Sequence, residues 1–154
     1  MKNAFTAIAM SAALGLSGLT GTVQAEPSYE QQVIALTNEH RTAKGCAGLA
    51  ENSALRTAAR GHSKDMAAHD HMSHQGTNGS DPGDRITQAG YPAKKWAENV
   101  AFGQPSPKEV VDAWMGSAGH RANILDCGLA EIGVGHVVNA EGVPYWTQNF
   151  GTRG

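Results

Sequence analysis

Two runs near the C-terminus decide what kind of fold this chain can adopt. Ala130, Ile132, Val134, His136 and Val138 alternate with Glu131, Gly133, Gly135 and Val137, and a second run extends from Val143 to Phe150. Asn139-Ala140-Glu141-Gly142 between them has the composition of a hairpin loop, so the runs predict paired antiparallel strands. The preceding residues follow a helical period instead. Tyr29, Val33, Leu36 and His40 fall on one face of a helix over residues 28–43 that Gly45 ends. Asn52 or Ser53 caps a second helix reaching about Ala68, with Leu55, Ala59, His62 and Met66 facing inward.

From His69 to Gly83 the period dissolves into loop composition broken by Gly76, Gly79 and Pro82. Asp81 then caps a short helix that has Pro82 first, carries Ile86 and closes at Gly90. Tyr91 to Ala97 reads as a connector and Glu98 to Phe102 as a short strand. Ser106-Pro107-Lys108-Glu109 reads as a capping box, opening a helix that buries Val110, Val111 and Trp114 and stops at Gly116 or Gly119. This order predicts an α+β domain in which helices cover a small, mainly antiparallel sheet. His120 and Arg121 are then expected at a helix end.

The first 25 residues do not belong to this pattern. Lys2, an apolar run from Ala4 to Leu19 and Val23-Gln24-Ala25 before Glu26 have the layout of a secretory leader cut after Ala25. Ser11, Gly15, Ser17 and Gly18 interrupt the run, which is short for a membrane span. Removing 25 of the 154 residues leaves 129, residues 26–154, which suits a single domain. Lys2 is lost with the leader, leaving 11 basic against 14 acidic residues and a formal charge of −3. No basic stripe remains, so nucleic acid is not an expected partner, and no transmembrane segment is expected after cleavage. The chain is expected to be secreted, extracellular or periplasmic. In that compartment Cys46 and Cys127 are expected to form one disulfide closing a loop of about 80 residues.

Several residues carry chemistry. His69, His71 and His74 lie in the glycine-rich loop, where imidazoles are available as metal ligands, although their spacing matches no zinc-finger or zincin pattern. His62, on an apolar helix face, reads as a core histidine with a hydrogen-bond partner. Glu98 at the start of a buried strand must be paired, solvated or coordinated. Ser117 and His120 place a hydroxyl near a base, without the Gly-x-Ser-x-Gly elbow of a serine hydrolase.

Taken in order, Ala58–Met66, Met72–His74, Asp84–Ile86, Ala89–Tyr91, Glu98–Ala101, Trp114–Leu125, Glu131–Gly135 and Tyr145–Gly151 resemble the CAP superfamily. That superfamily comprises cysteine-rich secretory proteins, antigen 5 and plant pathogenesis-related proteins; the closer resemblance is to its bacterial SCP-like branch. It covers nearly all of residues 29–151. The resemblance implies an α-β-α sandwich and a central cleft in which two histidines and two glutamates face each other around a divalent cation such as zinc. His74 matches the first histidine, Glu98 the glutamate of the Glu-Asn motif, and His120 the second histidine. Ser117 stands where the other glutamate is expected, which leaves His74, Glu98 and His120 as an open three-ligand set of the type zinc accepts. The resemblance implies no shared catalytic reaction. The expected function is therefore a binding module for a small molecule, lipid, peptide or cell-envelope component. The alternatives are a metal-dependent hydrolase using the same cleft and a purely structural envelope domain.

Overall fold

The computed structural model describes residues 24–154, so the leader expected over residues 1–25 lies outside the described residues except for its last two positions. Nine elements follow in order: α1 Tyr29–Lys44, β1 Ala50–Glu51, α2 Ser53–His69, α3 Pro82–Gln88, β2 Ala93–Phe102, α4 Pro107–Met115, α5 Ala118–Ile124, β3 Glu131–Val138 and β4 Pro144–Arg153. The strands form one sheet in the order β1-β3-β4-β2. β4 pairs antiparallel with both β2 and β3, and only the short β1 runs parallel to its neighbour. The expected fold class holds, with α2 and α3 on one face of the sheet and α1, α4 and α5 on the other.

Side chains alternate across the strands and set these layers. Ile132, Val134, Trp146 and Phe150 face α1, α4 and α5, where Val33, Val110, Trp114 and Ile124 complete the main core. On the opposite face the middle of β3 carries Gly133 and Gly135, between Glu131 and Val137. A Cβ at Gly133 would run into the backbone of Leu55 and Arg56, and one at Gly135 into Ala59. Those glycines let α2 lie directly on the strand, and its inner face is the expected Leu55, Ala59, His62 and Met66, all buried.

Local signals hold in most places. Ser28 and Gln31 form a capping box at α1, Asn52 accepts from two N–H groups at α2, and Asp81 with Asp84 caps α3 beneath Pro82. At α4 Ser106 accepts from Glu109 N, but the Glu109 carboxylate takes the Ser106 hydroxyl rather than its backbone N–H, so the box is only half made. The hairpin loop closes as expected, with Gly142 at φ 83 and Asn139 Oδ1 accepting from Glu141 N and Val143 N.

Three expectations need correction. The buried face of α1 is Glu30, Val33, Thr37 and Arg41, while Tyr29 is exposed and Leu36 and His40 are only half-buried. Polar groups face inward because each has a partner: Arg60 pairs with Glu30, Gln148 Nε2 donates to Thr37 at 2.7 Å, and Arg41 is caged by carbonyls. The expected connector before Glu98 is the first half of β2, an edge strand whose lysines stay in solvent and hide its strand character. The helix after Ser106 stops at Gly116, and the chain turns through Ser117 into α5. The stop at Gly116 is one of the two expected; what needs correction is α5 itself, an unexpected helix that holds His120 in its first turn.

Arg41 closes one end of the sandwich. Its guanidinium donates to the carbonyls of Ala47 at 3.0 Å, Ile124 at 2.9 Å, Asp126 at 2.8 Å and Leu129 at 2.8 Å. The two loops that it ties are those joined by the Cys46–Cys127 disulfide, whose Cα atoms are 5.0 Å apart. Among the described residues no helix is long and apolar enough to cross a membrane.

Candidate functional site

Because β2 is an edge strand, its outer side opens between the two helical layers, and groups from both reach around it. Glu98, with its side chain 1% exposed, is the hub. Its Oε1 accepts from His74 Nδ1 at 2.9 Å and from Arg85 Nη2 at 3.0 Å. Its Oε2 accepts from Arg85 Nη2 at 2.8 Å and, with the Asn149 amide nitrogen facing the carboxylate, from Asn149 at 2.9 Å. Two donors on each oxygen use the carboxylate's full accepting capacity.

The same groups hold the His74 loop. Arg85 Nη2 also donates to His74 O at 2.9 Å. One residue earlier, His62 Nε2 lies 2.6 Å from Ser73 O. A carbonyl only accepts, so Nε2 carries the proton and His62 Nδ1 keeps a lone pair. Farther along, Asp65 accepts from Thr77 N at 2.9 Å and Thr77 Oγ1 at 2.6 Å, which fixes the glycine-rich turn. His62 is thus a buried histidine with a partner, as expected, and its partner is the segment that presents His74.

The opposite layer contributes α5. Asn123 Nδ2 donates to Glu98 O at 3.3 Å and to Asn99 Oδ1 at 2.9 Å, covering the free edge of the strand. Asn99 Nδ2 donates to His120 O at 3.2 Å and to Gln148 Oε1 at 3.1 Å, which anchors the first turn of α5 to the sheet. His74, Glu98 and Asn123 then line a cleft together with Pro82, Trp96 and Ala97. A separate depression of 450 Å³ lies beside α2 and α3, lined by His62, Asp65, Ser80 and Arg85 among others. The buried His62 Nδ1 and Arg85 Nε have no partner among the described residues.

The titratable groups divide by environment. The hydrogen bond to Glu98 raises the pKa of His74 above the usual imidazole value, against a smaller opposing effect of burial. Burial lowers that of His62, although Glu98 Oε1 is 3.9 Å from its Nε2. Burial also lowers that of His120, and the His74 charge adds to the shift. With Nδ1–H committed to Glu98, a neutral His74 presents Nε2 as a lone pair on a half-exposed ring. Carboxylate-oriented imidazoles of this type are how proteins prepare histidine for a metal.

The structure therefore joins His74 to Glu98 directly, while His120 meets the same strand through its backbone carbonyl, which accepts from Asn99 Nδ2. It makes no group of three or more His, Cys, Asp or Glu side chains able to hold a metal ion among the described residues. Ser117 is the N-cap of α5 without a side-chain capping bond, and no hydrogen bond joins it to His120. His69 turns back to Asp65 O at 2.8 Å, away from any shared site with His74. Sequence reasoning assigns no role to Arg85, Asn123 or Asn149. The available signal is the need of a buried carboxylate for a cation.

A four-stranded sheet between two helical layers, with a polar cleft at its edge strand, defines an α-β-α sandwich domain. The family model described as "CAP: Cysteine-rich secretory protein family" matches residues 34–150, and the chain belongs to that family. An uncharacterised Bacillus subtilis protein, YkwD, is 40% identical over 135 residues, covering 85% of this chain and 51% of that protein. The crystal structure of an extracellular protein containing a SCP domain from Bacillus anthracis matches with TM-score 0.74 and 30% identity, over 81% of this chain and 40% of that one. An outer surface protein of Borrelia burgdorferi has the same fold with TM-score 0.74 at 20% identity, over 79% of this chain and 90% of that one. The chain thus spans about half the length of the Bacillus subtilis relative.

Proposed function

We propose that this CAP domain acts outside the cytoplasm as a binding module. Its cleft at the β2 edge takes a small ligand or a cell-envelope component, and His74 and His120 can hold a divalent cation such as zinc. One observation carries this reading: Glu98 is saturated by four hydrogen bonds and uses them to orient His74. A general acid or base must exchange protons with a substrate, and a carboxylate locked to Arg85 is poorly suited to it. The leader-like N-terminus, the disulfide and the extracellular relative from Bacillus anthracis support the location.

The donors fit a cation in a modified form. Three-ligand binding through Glu98 would require breaking its pair with Arg85, whereas binding through His74 with Glu98 behind it leaves that pair intact. A cation held there would polarise a bound carbonyl or phosphoryl oxygen. The chain's own part is to hold Nδ1–H of His74 on Glu98, which leaves Nε2 as the donor nitrogen of the neutral ring, while burial favours the uncharged form of His120.

The test is a calorimetric zinc titration of wild type, His74→Ala and His120→Ala, with proteolysis assayed with and without chelator. Zinc binding lost in both variants, with no turnover, is expected. Chelator-sensitive proteolysis would replace the binding module by a metal-dependent hydrolase. The absence of zinc binding would withdraw the cation from the proposal.

A further inference from the structure

The three tryptophans of this chain differ in what their indole N–H does. Trp114 donates to Val100 O at 3.0 Å and Trp146 to Gln104 O at 3.0 Å, and both side chains are buried in the core. Trp96 is 43% exposed, and its Nε1 has no acceptor among the described residues. An indole combines a large apolar face with one donor, so leaving both in solvent forgoes the burial that the other two obtain.

The position of Trp96 is built rather than incidental. Its indole lies against the first turn of α3, where a Cβ on Gly83 would stand 3.0 Å from Nε1 and 3.1 Å from Cε2. It is two residues before Glu98 on the same face of the edge strand. Two depressions of 390 Å³ each meet at this ring. One leads past Pro82 to His74, Glu98 and Asn123; the other leads past Gly83 to Asp84, Thr87 and Gln88. The result is a groove with an aromatic ring at its middle and carboxylate, hydroxyl and amide groups on both sides.

We propose that this groove binds a neutral oligosaccharide of at least two rings, with one ring stacked on Trp96. A sugar ring offers an apolar C–H face to an aromatic and a rim of hydroxyls to groups such as Asp84, Thr87, Gln88 and Asn123. An anionic ligand finds neither lysine nor arginine among the residues that line the two depressions, and nearby Arg85 and Lys95 are paired with Glu98 and Asp126. A lipid chain would need more apolar lining than one tryptophan with Pro82, Ala93 and Ala97 supplies. A cationic peptide is less suited, since Asp81 and Asp84 each accept a backbone N–H at the N-terminus of α3, where the helix dipole offsets their charge. This ligand class rests on the binding-module reading of the same cleft.

The experiment follows the three indole N–H resonances by 15N NMR, assigned with Trp96→Phe. The probes are the β-1,4-linked tetramers of glucose and of N-acetylglucosamine, with tetralysine as the cationic comparison. At least one glycan is expected to shift the Trp96 resonance saturably, with a dissociation constant of roughly 1 mM or tighter. Read in the variants from the backbone amide resonances of the groove residues, since neither keeps the Trp96 indole, Trp96→Ala is expected to weaken binding about tenfold, the upper range for one aromatic contact, while Trp96→Phe keeps most of it. Unchanged Trp114 and Trp146 resonances report that the fold is intact. No response to either glycan at about 10 mM, equal binding by Trp96→Ala, or tighter binding of tetralysine overturns the proposal. Zinc is titrated into the same samples. A zinc response at His74 and His120 without a glycan response overturns the glycan and leaves the cation-binding cleft standing; no response to either removes both.

Discussion

Replacing Glu98 by Gln is the sharpest test of how this domain is held together at its cleft. The substitution keeps the shape but removes the charge and exchanges one accepting oxygen for a donating NH2 group. In the wild type the two oxygens take two bonds from Arg85, at 2.8 and 3.0 Å, one from His74 at 2.9 Å and one from Asn149 at 2.9 Å. In the variant at least two of those donors face an NH2 group, and the Arg85 side chain, only 10% exposed, loses its counter-charge. Leaving one member of a buried ion pair uncompensated costs about 3–5 kcal/mol. For a domain of this size that corresponds to a fall in Tm of roughly 10–20 °C. The assay is urea and thermal unfolding of wild type, Glu98→Gln, Arg85→Met and the double variant. If the cost comes from the unpaired guanidinium, the double variant is more stable than the two single losses added together predict. A Glu98→Gln loss below about 1 kcal/mol, or strictly additive effects, would refute the assignment of Glu98 as the hub.

Further outcomes follow from other parts of the molecule. Gly135→Ala drives a Cβ into the backbone at Ala59 and is expected to cost about 3 kcal/mol or more, read as a lowered urea midpoint. Removing the disulfide as Cys46→Ser/Cys127→Ser is expected to cost on the order of 4 kcal/mol for a separation of 81 residues, yet leave a folded domain by near-UV circular dichroism, because Arg41 still ties both loops. Burial depresses His62, so the unfolded chain takes up that proton first and stability declines as pH falls below about 6.5. His74 is raised, so its contribution is present below about 6.5 and fades as pH rises through its folded value; being half-exposed, it is the smaller effect. Urea midpoints between pH 7 and pH 5 should therefore fall in wild type and flatten in His62→Gln; equal slopes would contradict the burial assignment.

The parts of this fold legible in the sequence are those in which burial and apolarity coincide. The inner face of α2 and the β3–β4 hairpin are such cases, since Leu55, Met66, Ile132 and Val134 are apolar and buried together. The face of α1 is not legible in this way, because Glu30, Thr37 and Arg41 are buried through pairings with Arg60, Gln148 and distant carbonyls that no local period records. The first half of β2 and the whole of α5 are hidden for related reasons. Lys94 and Lys95 suit a solvent-facing edge, and Gly119 suggests a stop although it lies inside α5. At the site, His74 and Glu98 are expected together and are in contact, while the partnership of Glu98 with Arg85 joins a strand to a helix 13 residues earlier. Pairing of that kind is a property of the folded topology.

The carbonyl cage around Arg41 also bears on the order of events in folding. Four carbonyls on both cysteine-bearing loops converge on one guanidinium that needs no oxidant to bind them. Once the helices and sheet assemble, that knot holds the two thiols at a high effective concentration. Sulfur pairing then follows from a geometry already reached instead of creating it. A chain still reduced can therefore fold first, with the covalent link then adding stability by restricting the unfolded chain.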